Sequence, residues 1–200
     1  KTRERPFFLE DGSRVSVPMM KVEEPVFPTY SGDDYLAVDL AYGDSLYTMT
    51  ILLPNEGTSV ASLVGKLDET EWQRITDGLT PRSLEALMMP KFEMRYKIGL
   101  VDALYSLGVQ DVFSDLADLS GISDAQRLFV SSVLHKTFLA VNERGTEAAA
   151  VTAIEAGETS AGPRQKPVVN LNRPFVFAIR EQHSGTIMFI GQLMNPAVAD

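Results

Sequence analysis

The amino-acid sequence predicts an α+β fold, mainly antiparallel sheets with short helices, and three observations carry that expectation. A two-residue periodicity recurs along the chain, most cleanly in Lys91-Phe92-Glu93-Met94-Arg95-Tyr96-Lys97-Ile98, where charge and hydrophobe alternate as a half-buried strand requires. Turn signals at Asp11-Gly12, Gly43-Asp44 and Ser184-Gly185 join strand-like runs in the manner of antiparallel hairpins. The helical period appears only in brief stretches, so the helices are short.

Composition narrows the class. Two hundred residues, 44% hydrophobic, can bury a substantial core and lie within the range of a single domain. No apolar run approaches the roughly 18 to 20 residues that span a bilayer, and Lys1-Thr2-Arg3-Glu4-Arg5 is not followed by a signal-peptide core, so no membrane-embedded segment is expected. With 18 basic against 27 acidic residues the net charge is -9, which repels nucleic acid and anionic membrane surfaces and favours a protein or small-molecule partner. Zero cysteines exclude disulfides, thiol chemistry and cysteine-ligated zinc without settling the compartment.

In chain order, residues 6 to 20 read as two strands around Asp11-Gly12, with Phe7, Leu9, Val15 and Val17 as apolar positions. Pro18, Pro25 and Pro28 suggest edge strands or irregular crossings, because proline cannot donate to a ladder. A second hairpin pairs 35–40 with 47–53 across Gly43-Asp44, and the density of Met49 to Leu53 marks a buried central strand. From Thr58, Val60, Leu63, Val64 and Leu67 form one helical face capped by Thr58 or Ser59. Asp68 and Glu71 make a capping box for a second short helix with Trp72 and Ile75, which Gly78 ends.

After the strand over 91–98, Leu100, Leu104 and Leu107 predict a helix stopping at Gly108, and 115–126 a short helix and loop. Leu128 to Val141 reads as one long strand. Residues 155–167 are polar and rich in glycine and proline, hence an exposed loop, and two strands over 175–179 and 186–191 close the chain.

Residues 142–154 carry two competing periodicities. Glu147-Ala148-Ala149-Ala150 favours a helix by propensity. Read with period 2, Thr146, Ala148, Ala150, Thr152 and Ile154 share one uncharged side while Glu147 and Glu155 take the other, so the segment could enter a sheet without burying a charge.

The sequence shows no nucleophile elbow, metalloprotease helix, phosphate loop or dinucleotide fingerprint. His183 beside a turn is expected in solvent, and His135, with Leu134 and Phe138 nearby, as a hydrogen-bonded core histidine. With no second histidine or cysteine beside either, no metal or cofactor is expected, and the carboxylates Glu23, Glu24, Asp33 and Asp34 read as solvated faces.

Three motifs together resemble one family. Val169-Asn170-Leu171-Asn172-Arg173-Pro174-Phe175-Val176-Phe177-Ala178-Ile179 is similar to the serpin signature, and Phe189-Ile190-Gly191-Gln192-Leu193-Met194-Asn195-Pro196 to the usual serpin ending. His135-Lys136, with Val141-Asn142-Glu143-Arg144-Gly145-Thr146-Glu147-Ala148-Ala149-Ala150, resembles the fifth strand of serpin sheet A and the hinge of the reactive-centre loop. The resemblance covers residues 1–200 and implies a serpin fold, the chain being the C-terminal part of a single serpin domain that completes sheets A, B and C, with the hinge and reactive-centre loop over 143–167. It puts Lys1 after the third strand of sheet A, so the N-terminal half would be a separate chain or segment.

The resemblance implies no enzyme. It implies a serine-type peptidase inhibitor, extracellular or periplasmic, whose loop is cleaved as a suicide substrate and then inserts into sheet A, driven by strain in the native state. The hinge would be Glu143, Gly145, Thr146, Glu147, Ala148, Ala149, Ala150 and Thr152, and its short uncharged inward side favours an inhibitor over a non-inhibitory serpin-fold binding or chaperone protein. Family spacing from Glu143 puts the reactive bond at Thr159-Ser160, which suits elastase-like or subtilisin-like serine proteases, with a cysteine protease as the further class. Arg164 or Lys166 would suit trypsin-like enzymes, and cleavage at Ile154 would leave too short an inserted strand. His135 and Lys136 carry over to the shutter and breach of sheet A, with Glu143 near the breach.

Overall fold

Gly12 takes φ +83°, a left-handed conformation that glycine adopts without a Cβ clash, and Asp11 Oδ1 accepts the Ser13 N–H at 2.8 Å. The chain therefore reverses there, and β1 (Arg3–Phe8) runs antiparallel to β2 (Arg14–Glu23). The computed structural model describes residues 2–42, 45–123, 127–143 and 166–198.

These residues form three sheets. In the first the order is β1-β2-β7-β10, where β7 (Ala86–Pro90) is antiparallel to β2 and β10 (Val168–Asn170) is parallel to β7. The second has the order β12-β11-β5-β4-β3-β6, from β3 (Val26–Ser31), β4 (Tyr35–Tyr42), β5 (Tyr47–Pro54), β6 (Thr80–Ser83), β11 (Phe175–Glu181) and β12 (Ile187–Leu193). All its neighbouring pairs are antiparallel. The third pairs β8 (Phe92–Gly99) with β9 (Leu134–Val141). With the short helices α1 (Val60–Val64), α2 (Glu69–Gly78) and α3 (Val101–Ser106), the architecture is the α+β, mainly antiparallel one expected. The described residues divide into two compact units, those of 2–92 with 141–143 and 166–198, and those of 93–140.

The prolines do not mark edge strands. β2 and β3 are both interior, but Pro18 pairs only with Glu4, and the ladder to β7 begins at Met19. Pro28 likewise pairs only with Pro81, and the ladder to β4 begins at Thr29. Each missing N–H thus falls where one side of the strand has no partner.

Two further differences have local causes, and one expectation lies outside the described residues. The long strand expected from Leu128 starts at Leu134, because the Val130 N–H donates to the Val112 carbonyl and the Val133 carbonyl accepts from Leu100 N–H. Over 115–123 there are turns in place of the expected helix, fixed by Ser114 and Asp118 side chains that bond nearby backbone N–H groups. The Gly43-Asp44 turn lies outside the described residues, although β4 and β5 pair up to Tyr42 and Tyr47.

The helices α1 and α2 are capped as their sequences suggest. Ser59 Oγ accepts the Ser62 N–H at 3.1 Å and Asp68 Oδ1 the Glu71 N–H at 2.8 Å. The capping box is only half made, since the Glu71 carboxylate accepts from the Tyr35 hydroxyl and Arg74. Both helices cover one face of the six-stranded sheet, where Val60, Leu63 and Ile75 join Tyr35, Ala37, Leu52 and Val176 in a buried cluster. Each fully buried aliphatic side chain there is worth about 1.5 to 3 kcal/mol.

Along that face the rows across β4, β5 and β11 change character. The row Ala37, Leu52, Val176 is apolar; the next two, Asp39, Thr50, Ala178 and Ala41, Thr48, Arg180, are partly polar. At the irregularity in the β11–β12 pairing between Ile179 and Arg180, the Arg180 side chain reaches Asp39 Oδ2 at 2.5 Å and Thr50 Oγ1 at 3.0 Å. Both charges are buried, and among the described residues Asp39 Oδ1 and Thr48 Oγ1 have no hydrogen-bond partner.

Candidate functional site

The site is the base from which the segment 144–165 departs and to which it returns. Strand β9 ends at the buried Val141, and two residues later Glu143 presents its carboxylate to two donors. Oε2 lies 2.6 Å from Lys91 Nζ, and Oε1 accepts from Thr2 Oγ1 at 2.6 Å. Lys91 is the single residue between β7 and β8, and its N–H donates to the Pro18 carbonyl at 2.8 Å. Thr2 immediately precedes β1. The Lys91 ammonium, then the Thr2 hydroxyl, hold the Glu143 carboxyl down at about 2.

The return is held by the same region. The Glu85 N–H donates to the Pro167 carbonyl at 2.9 Å, β10 pairs with β7 from Val168↔Ala86 to Asn170↔Met88, and the Leu171 N–H reaches the Met88 carbonyl at 2.9 Å. Glu143 and residues 167–171, which flank 144–165, are therefore both fastened to the stretch from Glu85 to Lys91.

The signature-like segment then crosses from the four-stranded to the six-stranded sheet. Leu171 and Phe175 are fully buried, the Phe175 ring packs edge-on against Phe92 at 6.2 Å between centroids, and Arg173 Nε donates to the Pro54 carbonyl at 2.8 Å. Gly191 opposite Phe177 is required by space, since a Cβ there would lie 2.8 Å from the Phe177 ring.

Of the residues singled out by sequence, Glu143 is brought together with Lys91 and Thr2, which sequence reasoning did not single out as its partners. His135 and Lys136 lie exposed on β9, and His135 Nε2 is 3.0 Å from Thr137 Oγ1. The expected core position for His135 is thus not met among the described residues, where its side chain is exposed. His183 is exposed. Gly145, Thr146, Glu147, Ala148, Ala149, Ala150, Thr152, Thr159 and Ser160 lie outside the described residues. Among the described residues no group of three or more His, Cys, Asp or Glu could hold a metal ion.

The Glu143 anchor has a pH signature. A carboxyl held low in the folded state contributes stability that is fully present above its ordinary value and lost as pH falls through the folded one. The unfolding free energy of the native chain minus that of Glu143→Gln should therefore be constant above about pH 4.5 and shrink towards pH 2. A pH-independent difference in acid titrations followed by circular dichroism would contradict the anchor.

A family model described as Serpin (serine protease inhibitor) matches residues 1–196. Iripin-8 of Ixodes ricinus is 38% identical over 96% of this chain and 49% of its own length, and Plasminogen activator inhibitor 1 of Neovison vison is 36% identical over 98% of this chain and 49% of its own. The crystal structure of mouse protein-Z dependent protease inhibitor superposes with TM-score 0.80 at 28% identity, covering 98% of this chain and 50% of that one. The chain spans about half the length of the curated relatives it matches.

Proposed function

We propose, from the premise that the chain belongs to the serpin family, that it is the loop-bearing C-terminal part of a single serpin domain, and that the complete protein inhibits serine-type peptidases by suicide trapping. The supporting observation is the pairing of β9: among the described residues it has a strand on one side only, and it leads through the anchored Glu143 into an alternation whose inward side, Thr146, Ala148, Ala150 and Thr152, carries no charge. A segment of that kind can be added beside β9 without burying an unpaired charge.

In this reading the peptidase serine attacks the Thr159 carbonyl, the Thr159–Ser160 bond breaks, and the Ser160 amine leaves with the C-terminal piece while the acyl group stays on the peptidase. The freed loop then inserts beside β9 and carries the bound peptidase with it, and relief of native-state strain drives the movement. The small residues at the bond suit elastase-like or subtilisin-like enzymes, with cysteine peptidases as a further class. The relatives named as inhibitors support this reading, and an extracellular or periplasmic site of action is proposed with it.

An N-terminal half, on this chain or another, completes the fold. Support comes from β12, where Ile187, Met188, Phe189 and Ile190 are all exposed, an apolar surface that a sheet normally covers. Mass spectrometry after incubation with an elastase-like peptidase should release a peptide beginning at Ser160. A peptide with a different N-terminus would move the bond, and an uncut chain would contradict the reading.

A further inference from the structure

Arg95 of β8 places its guanidinium carbon 4.9 Å from the centre of the Phe138 ring of β9, so these two side chains share one face of the two-stranded sheet. Alternation puts Glu93 and Lys97 on that face from β8, and Leu134 and Lys136 from β9. Three cations thus stand against one carboxylate in a chain whose net charge is -9. Among the described residues none of these four charges makes an ion pair, so their electrostatic capacity is open. Interleaved with them, Leu134 and Phe138 are each 54% exposed.

We propose that this face docks an acidic protein segment whose carboxylates alternate with apolar side chains. Cations alone would accept any polyanion, but Leu134 and Phe138 sit between them and need apolar partners that a sulfated polysaccharide cannot supply. The repeat fits as well. Arg95 and Lys97, like Lys136 and Phe138, are separated by two strand residues, roughly 6.6 Å, and an extended peptide presents alternate side chains at the same interval. Stacked on Phe138, the Arg95 guanidinium keeps its edge N–H groups free to grip a carboxylate with two hydrogen bonds. None of these residues takes part in the Glu143 anchor.

The test is fluorescence anisotropy of the complete protein with two fluorescein-labelled probes, an alternating Glu-Val peptide and a dextran sulfate oligosaccharide. The peptide should bind more weakly as salt rises, and Arg95→Glu with Lys97→Glu and Lys136→Glu should abolish binding. Phe138→Ala should weaken it by about fivefold or more without changing the salt slope, and as a single exposed truncation it keeps the test valid if the triple variant fails to fold. Absent peptide binding, or binding that Phe138→Ala leaves unchanged, would overturn the proposal. Tighter binding of the oligosaccharide with no dependence on Phe138 would do so too, by reducing the face to a general anion patch.

Discussion

On the trapping mechanism proposed above, Thr146→Arg in the complete protein should leave the loop still cut but lower the yield of trapped peptidase by about a hundredfold or more. In the inserted strand proposed above, Thr146 is one of the inward positions with Ala148, Ala150 and Thr152, and an arginine there would have to be buried without a partner. Such a burial costs several kcal/mol, and each 1.4 kcal/mol or so is a factor of ten in the race between insertion and hydrolysis of the acyl bond. Glu147→Arg, on the outward side of the same alternation, should leave trapping within a few fold of the native level. The ratio of inhibitor consumed to peptidase inactivated reads both variants. Equal trapping by Thr146→Arg and the native protein would remove insertion from the account.

The second large effect concerns stability. Arg180→Leu should lower the unfolding free energy by about 3 to 5 kcal/mol, because it leaves the Asp39 carboxylate buried with neither the guanidinium nor water to compensate it. Most of that cost should vanish in Arg180→Leu with Asp39→Leu, where no buried charge remains. Urea unfolding of the single and double variants separates the two cases. A double variant as unstable as the single one would mean that Arg180 matters through packing or the Thr50 contact rather than through charge.

Much of this architecture is readable from local sequence, for identifiable reasons. Asp11-Gly12 fixes a turn by conformational preference alone, Ser59 and Asp68 announce helices through caps that act within three residues, and the alternation of β8 is unbroken. Three strands escaped notice because they lack such signals. β7, Ala86-Leu87-Met88-Met89-Pro90, is buried at every position and so shows no alternation; β10 is three residues long; and β6 is Thr-Pro-Arg-Ser, entirely exposed. The early part of the expected 128–141 strand was lost to backbone bonds with 100 and 112, which no local pattern encodes. The site divides the same way. Glu143 stands out as the start of a hinge, but Thr2 is 141 residues away from it, a contact that exists only once the sheets have assembled. The Arg180–Asp39 pair spans the same separation and was equally hidden.

The proposed function stands or falls on whether cleavage of the loop traps the peptidase. Its most direct measurement is denaturing gel electrophoresis after the complete protein is mixed with an elastase-like or subtilisin-like serine peptidase. The account predicts a band at the combined mass of the peptidase and the cleaved protein, stable to boiling in detergent, with peptidase activity lost in proportion. Cleaved protein beside fully active peptidase, with no such band for any serine peptidase that cuts the loop, would contradict it and leave a serpin fold that binds without inhibiting.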